Sequence, residues 1–261
     1  MPPEIGGFLI FVNMKHKPNT QIYKNYTGED FEVWKILFER QMKNLETRVS
    51  SDFLKALEKV EFSSNKIPDF TQVNGLLEQY TGWGLHTVPC ISEQRDFFNL
   101  LSQKKFTATC WLRSKEQLDY LEEPDMFHDV FAHTPLLSNE AYCKFFKSMG
   151  NLAMKHINNP LIIEKLGRLY WFTIEFGMIY ENRNMKVYGA GIISSAGETK
   201  NALSNKVEKI DFDVHQVFNT EFRTDILQEK YFVIDSFEQL IDSIPLIETL
   251  AEELSFSEIK V

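Results

Sequence analysis

One carboxylate stands alone in a long apolar segment of the chain. Residues 169–180 read LYWFTIEFGMIY, and Glu175 is the only carboxylate among them. A segment that is apolar on all sides is typical of a buried helix, and burying an unpaired carboxylate is costly. Arg168 and Arg183 each lie about two helical turns away and are poor partners, which leaves backbone amides, a distant arginine such as Arg113 or a metal ion. A metal ion is the hypothesis that the rest of the sequence favours.

Two histidines in the segment PDMFHDVFAHTPLL supply further ligands for this hypothesis. His128 and His133 are five residues apart, which on a regular α-helix separates them by about 140° around the axis. Pro135 should loosen the helix near His133 and Thr134, because the residue before a proline avoids the α conformation. Two histidines at this spacing are more often unrelated to each other. Together with the buried Glu175, however, they favour a metal site.

The ligand types indicate two kinds of metal chemistry. Two imidazoles and one carboxylate form the facial set that binds non-haem Fe(II) and leaves positions open for O2. The same set binds zinc, so a hydrolytic or structural zinc site is an alternative. A hydrolase needs a general base, and Asp129 is the one obvious candidate, although it points about 100° away from His128 on a helix. The H-E-x-x-H pattern of zinc hydrolases is absent.

Other residues have both a structural and a functional interpretation. Arg113 ends a predicted strand, where it is either a surface residue or a bidentate clamp for a substrate carboxylate. Ser194, Ser195 and Gly197 allow close approach of a ligand to the backbone, although most such loops are simple turns. Trp171 precedes Glu175 by one helical turn and shares its face, so it packs either against a substrate or in the core.

The elements that position these residues are mostly helices. Apolar periodicity predicts helices over residues 29–46, 50–60, 69–82, 92–104, 139–149, 160–182 and 236–243. Ser51 or Asp52 is the predicted cap of the second of these helices, and Ser92 that of the fourth. Strands are predicted over 106–113 and 231–236, and a loop or bent strand over 186–198. The prediction is a single, mostly α domain with a few short β-strands over residues 26–261, preceded by a loosely ordered leader, residues 1–25.

Composition restricts the partners. The chain has 261 residues and a net charge of −9, without a basic cluster, so nucleic acid and anionic membranes are poor candidates. Its three scattered cysteines argue against a disulfide framework or a cysteine-based zinc site and indicate a reducing compartment. We find no secretory signal and no segment long enough to span a bilayer, and we predict a cytoplasmic location.

Three ordered motifs resemble those of the pterin-dependent aromatic amino acid hydroxylases. They are EPDMFHDVFAHTPLL, YWFTIEFG and YGAGIISSAGE, and the shorter RDFF (95–98) precedes them. The resemblance runs from about Tyr26 to about Phe237 and is closest to the compact bacterial members. It implies an Fe(II)- and tetrahydropterin-dependent monooxygenase that hydroxylates L-phenylalanine to L-tyrosine with O2.

The resemblance also implies a role for particular residues. Iron would be held by His128, His133 and Glu175, which are thereby the catalytic set. Arg113 would bind the carboxylate of the amino acid. The predicted supports and walls of the amino acid pocket are Asp125, Glu198, Trp171, Pro124, Gly191, Ser194 and Ser195. Phe97 would stack on the pterin ring, and Asp129 would lie close to it.

Some features depart from the family pattern or leave alternatives open. Ala132 replaces the usual glycine between the histidines, and Leu121 stands where animal members carry a small hydroxyl residue. Pro245 interrupts the last apolar stretch and no sustained heptad follows, so we predict a monomer. Thr224, near the selectivity position of the family, does not separate phenylalanine from tryptophan or tyrosine, or one ring position from another. A non-catalytic amino acid sensor is a further alternative.

Overall fold

The regular structure is mostly helical, as predicted. In the computed structural model, which describes residues 17–119 and 121–258, eleven α-helices and six short strands are present. The α-helices are α1 (Gly28–Leu45), α2 (Ser51–Lys59), α3 (Phe70–Tyr80), α4 (Gln94–Ser102), α5 (Glu140–Lys155), α6 (Pro160–Tyr170), α7 (Ala190–Ser194), α8 (Ala196–Ala202), α9 (Val214–Asn219), α10 (Phe237–Asp242) and α11 (Ile244–Glu258). The strands are β1 (Gly84–Thr87), β2 (Lys105–Ala108), β3 (Met178–Glu181), β4 (Asn184–Val187), β5 (Glu208–Asp211) and β6 (Lys230–Ile234).

Two π-helical segments carry the candidate metal ligands. The first π-helix is Phe127–His133, and the second, Trp171–Glu175, continues α6. Short 3-10 turns occur at Tyr23–Asn25, Lys115–Gln117 and Pro135–Ser138. The predicted leader falls largely outside the described residues, which begin at residue 17.

Aromatic side chains of helix α1 pack against the first π-helix. Trp34 contacts Phe127 edge-on with ring centroids 5.8 Å apart, and Phe38 contacts Phe131 in the same way at 5.2 Å. Phe127 and Phe131 stack on each other at 4.6 Å. All four rings are buried, so they fix this π-helix against α1 by apolar area and by ring geometry.

Two small sheets flank the helices. β1 and β2 pair in parallel, and the second sheet has the order β4-β3-β6-β5. β3 pairs antiparallel with β4 and parallel with β6, which in turn pairs parallel with β5. β3 follows the second π-helix directly, so the larger sheet anchors the end of the segment that carries Glu175.

Most of the predicted helices are confirmed, but two caps are wrong. Ser50 caps α2 by accepting a hydrogen bond from a first-turn amide, so Ser51 and Asp52 are already its first helical residues. α4 follows Glu93, whose side chain makes no capping hydrogen bond, and Ser92 lies one residue too early to cap it. The predicted strand over 106–113 pairs only as far as Ala108, because β1 offers a four-residue partner.

The apolar segment after Glu175 is not helical, contrary to the prediction of a helix to residue 182. The second π-helix ends at Glu175, and Met178–Glu181 forms β3. Met178 and Ile179 are both buried, although they point to opposite faces of the sheet. A short apolar run that is buried on both faces has no periodicity that separates strand from helix.

Two further predictions, both for the second half of the chain, are wrong. The predicted loop or bent strand over 186–198 is correct only at its start, because α7 and α8 follow β4. Pro245 does not interrupt the last apolar stretch. It lies in the first turn of α11, where the missing amide hydrogen has no intrahelical partner to lose. The sequence analysis also missed α9, α11, β1 and β5.

Candidate metal centre

Three side chains converge on one point in the interior. His128, His133 and Glu175 form the one group of three or more potential metal ligands among the residues that the structure describes. The two Nε2 atoms are 3.2 Å apart, and Glu175 places Oε1 3.1 Å from His133 Nε2 and Oε2 3.6 Å from His128 Nε2. Ligands on one face of an octahedral ion, each about 2.1 Å from it, are about 3.0 Å apart. The three donors therefore fit a facial site for one ion.

The first π-helix explains how histidines five residues apart share a face. The regular helix assumed in the sequence analysis would separate them by about 140°. In a π-helix the backbone hydrogen bonds join residues five apart, so these residues lie about one turn apart on the same side of the helix. The wider turn, rather than the loosening expected before Pro135, brings His133 next to His128.

Glu175 is placed by the second π-helix and by a close approach of backbone. The Phe176 amide donates to the Trp171 carbonyl at 2.8 Å, which closes the wide turn just after Glu175. On the other side, a Cβ at Gly189 would lie 2.4 Å from the Glu175 carbonyl oxygen and 2.5 Å from the Gly177 nitrogen. A residue with a side chain at position 189 would therefore displace the backbone of the carboxylate ligand.

The protonation states suit a metal. Burial lowers the pKa of His128 to about 4, so its imidazole is neutral at pH 7. Its Nδ1 lies 2.9 Å from Ser194 Oγ, and this hydroxyl donates to the Ala190 carbonyl. Nδ1 must therefore carry the hydrogen, which leaves the Nε2 lone pair for a metal.

The carboxylate is ionised although it is buried. Burial by itself would raise the pKa of Glu175, but His133, His128 and the Tyr170 hydroxyl lower it to about 2. His133 is 2% exposed and its Nδ1 has no hydrogen-bond partner among the described residues. Its ring lies instead against Phe106, with centroids 4.7 Å apart.

The two predicted pterin residues lie beside this centre. Phe97 is half-buried and contacts Tyr170 edge-on at 5.3 Å, and the Tyr170 ring in turn lies 6.5 Å from that of His133. Asp129 Oδ2 accepts hydrogen bonds of 2.8 Å from both the amide and the hydroxyl of Thr109. Burial raises the pKa of Asp129 to about 7. Sequence reasoning missed Thr109, because nothing in the strand pattern marked it.

The predicted carboxylate clamp is a buried ion pair. Arg113 Nε and Nη2 donate to the two oxygens of Asp125 at 2.9 and 2.8 Å, and Asp125 is fully buried. Asp125 also accepts from the amides of Arg113 and Phe127, so its carboxylate is fixed from several sides. Pro124 precedes it and is half-buried.

The remaining predicted pocket residues lie on the α7–α8 side. Ser194 contacts His128, whereas Ser195 caps α8 by accepting from the Glu198 amide at 3.2 Å. A Cβ at Gly191 would lie 2.6 Å from the Phe176 ring.

Glu198 is joined to Trp171 through a residue that sequence reasoning missed. Its carboxylate accepts from the Gln228 amide at 2.9 Å and from the Tyr231 hydroxyl. The indole of Trp171 donates to Gln228 Oε1 at 2.9 Å. No motif in the sequence pointed to Gln228, which stands in an irregular loop.

No helix in the part of the chain that the structure describes is both long and apolar enough to cross a membrane.

Comparison with known proteins gives a consistent result. The family model described as biopterin-dependent aromatic amino acid hydroxylase matches residues 9–254. The phenylalanine-4-hydroxylase of Chromobacterium violaceum is 39% identical over 237 residues, 89% of this chain and 80% of that protein. The protein of the same name from Ralstonia nicotianae is 41% identical over 219 residues, 84% of this chain and 70% of that protein.

A solved structure of the Chromobacterium violaceum phenylalanine hydroxylase holds bound iron(III) and the oxidised cofactor 7,8-dihydrobiopterin. It superimposes with a TM-score of 0.83 at 40% identity and covers 91% of this chain and 87% of that one.

Proposed function

Because the chain belongs to the biopterin-dependent aromatic amino acid hydroxylases, we propose that it is a phenylalanine 4-monooxygenase that hydroxylates L-phenylalanine to L-tyrosine. The reaction uses Fe(II), a tetrahydropterin and O2. Membership of the family confirms the resemblance predicted from the three motifs. The observation that carries the proposal is the convergence of His128, His133 and Glu175 with the spacing of one facial iron site.

The iron would be held on one face by the two imidazoles and the carboxylate, which leaves the opposite face open. Bound iron and tetrahydropterin supply the activation of O2, for which the pterin provides two electrons. The protein holds the donors still before the ion arrives. Ser194 fixes the ring of His128, and Gly189 permits the backbone position of Glu175. Such preorganisation would hold the three donors in the arrangement that the ion requires.

Arg113 is proposed to bind the carboxylate of the amino acid, with Asp125 holding its guanidinium in place. A guanidinium has five N–H donors, so it can serve Asp125 and a substrate carboxylate together. Trp171 and Pro124, with Gly191, Ser194 and Ser195, would form the walls of the pocket for the aromatic ring.

Phe97 and Asp129 are proposed to bind the pterin, Phe97 by stacking and Asp129 by accepting a hydrogen bond. The structure supports this because Phe97 is separated from His133 by a single ring, that of Tyr170. Thr109 engages one oxygen of Asp129, and Oδ1 has no protein partner among the described contacts. We further propose that the protein acts as a cytoplasmic monomer without nucleic acid or membrane partners.

The proposal is tested by reconstituting the protein anaerobically with Fe(II) and then adding tetrahydropterin, O2 and phenylalanine. Chromatography should detect tyrosine, and the same assay with tryptophan and tyrosine gives the substrate preference. Glu175→Gln should abolish tyrosine formation by weakening iron binding, and Zn(II) in place of Fe(II) should give no product. Glu164→Gln, which alters an exposed carboxylate of α6, is the matched control. Full activity of Glu175→Gln, or pterin-independent turnover, would contradict the proposal.

A further inference from the structure

The buried side chain of Gln228 holds the half-buried indole of Trp171 by a hydrogen bond. The indole N–H donates to Gln228 Oε1 at 2.9 Å, and Gln228 is only 6% exposed. The other end of the same amide points the opposite way, since Nε2 donates to the carbonyls of Arg223, at 2.8 Å, and Ile226. The Gln228 side chain therefore joins Trp171 to the backbone of the loop that precedes Gln228.

The backbone of Gln228 is fixed as firmly as its side chain. Its amide donates to Glu198 Oε1 at 2.9 Å, and its carbonyl accepts from Asn201 Nδ2 at 2.7 Å. Glu198 and Asn201 both belong to α8, and both also bond to the Tyr231 hydroxyl. Every hydrogen-bonding group of Gln228 is thus used, and α8 fixes the backbone from which its side chain extends.

The loop that is hydrogen-bonded to the Gln228 side chain lies over Trp171. Residues 220–229 have no regular secondary structure, and Phe222 from this loop stacks on the indole at 4.4 Å with an interplanar angle of 15°. Phe222 is 37% exposed and Leu227 is 52% exposed, so apolar burial alone holds this loop weakly. The Gln228 amide supplies directed contacts that apolar packing does not.

We propose that Gln228 is a positioning residue for the aromatic amino acid, because it sets the plane of the Trp171 indole and keeps residues 220–229 over it. The inference rests on the proposed function, in which Trp171 is a wall of the pocket. Without the Gln228 acceptor, the indole N–H loses the one partner described for it, and the half-buried ring can turn. The same substitution removes the hydrogen bonds from Gln228 Nε2 to the carbonyls of residues 223 and 226. The surface that contacts the substrate ring therefore changes shape. Small displacements of positioning groups have large effects on productive binding.

The first test measures the hydrogen bond itself. Nitrogen–proton correlation spectra resolve the indole signals, and the Trp171 signal is assigned from its disappearance in Trp171→Phe. In Gln228→Met, which keeps the length of the side chain and removes the amide, this signal should move upfield. The signals of Trp34 and Trp111, which donate to the carbonyls of Ser63 and Pro89, should stay in place. An unmoved Trp171 signal would overturn the proposal.

The second test measures what the hydrogen bond does. In Gln228→Met the KM for phenylalanine should rise about 3- to 10-fold, the range expected for one lost neutral hydrogen bond. The KM for pterin and the affinity for Fe(II) should not change, because neither site contains Gln228. Gln228→Glu keeps the acceptor for the indole and should restore the signal. The affinity should stay reduced, because the second carboxylate oxygen cannot donate to the carbonyls of Arg223 and Ile226 and leaves the loop untied. Gln216→Leu, at an exposed position of α9, is the control for a general effect of losing a glutamine.

The outcomes separate this inference from the proposed reaction. Calorimetric binding of phenylalanine to the iron-loaded protein is measured alongside turnover. Weaker phenylalanine binding in Gln228→Met than in wild type supports the role of Gln228, whether or not tyrosine forms. Absence of tyrosine from the wild-type protein would refute only the proposed reaction. Equal phenylalanine binding in wild type and Gln228→Met, with a displaced indole signal, would reduce Gln228 to a structural role and overturn the inference. Should Gln228→Met fail to fold, Gln228→Asn withdraws the amide from the indole and serves the same comparison.

Discussion

Replacing Ser194 by alanine should weaken iron binding without unfolding the site. Ser194 Oγ is the one described hydrogen-bond partner of His128 Nδ1, at 2.9 Å, and it donates its own hydrogen to Ala190 at 2.9 Å. In Ser194→Ala the imidazole can rotate and can adopt the tautomer that carries hydrogen on Nε2. That tautomer has no lone pair for the metal, so part of the apo protein becomes unable to bind.

The size of the effect follows from the exposure of His128. Loss of a hydrogen bond to a metal-bound imidazole typically costs about 10- to 100-fold in metal affinity. The His128 side chain is 20% exposed, whereas that of His133 is 1% exposed, so water can replace part of the lost contact. We therefore expect the lower end of this range, about tenfold, which corresponds to about 1.4 kcal/mol.

The assay is an anaerobic titration with Fe(II) in competition with a chromophoric chelator. Ser195→Ala is the matched control, since Ser195 caps α8 and does not touch His128. It should cost about 1 kcal/mol in the free energy of unfolding and leave the iron affinity unchanged. Equal iron affinities for wild type and Ser194→Ala, or equal losses in both serine variants, would refute the reasoning.

Three further predictions concern packing and reactivity. Gly189→Ala should lower the iron affinity, because the new Cβ displaces the backbone of Glu175. In Gly167→Ala the new Cβ meets no atom within 4 Å, so this variant should keep the iron affinity and gain about 0.5–1 kcal/mol in the free energy of unfolding. Equal iron affinities of the two variants would contradict the steric argument. Asp125→Ala should cost about 3–5 kcal/mol in urea unfolding because it removes the carboxylate that pairs with the buried guanidinium of Arg113, and a loss below about 1 kcal/mol would contradict this. A thiol reagent at pH 8 should modify only Cys90 in the folded protein, since burial raises the pKa of the other two thiols; modification of more than one by mass spectrometry would contradict it.

The sequence predicted the convergence of three candidate ligands better than the backbone that presents them. Burial of Glu175 could be predicted because its neighbours are apolar on all sides, and burial of a charge requires a partner. The relation of His128 to His133 could not be predicted by helical geometry, since the π-helix depends on tertiary packing. Part of that packing is the contact of Phe127 and Phe131 with Trp34 and Phe38 of α1, a helix that is distant in sequence.

The strand β3 and the loop around Gln228 escaped prediction for different reasons. β3 is buried on both faces, so its sequence lacks the alternation that marks a strand. Gln228 acquires its importance only from residues 30 and 57 positions away, Glu198 and Trp171. A single polar residue in a loop carries no local signal of such contacts. The predicted cap of α2 was wrong by one residue, because Ser50, Ser51 and Asp52 are adjacent and each has a side chain that can cap a helix.

Two imidazoles and one carboxylate should hold one ferrous ion on a single face. X-ray absorption of the Fe(II)-loaded protein, with an anomalous difference map from its crystals, measures the position and ligands of this ion. We expect one iron per chain, about 2.1 Å from His128 Nε2, His133 Nε2 and the Glu175 carboxylate, with only light ligands on its other side. An iron bound elsewhere, a sulfur ligand, or a Glu175 carboxylate outside bonding distance would contradict it.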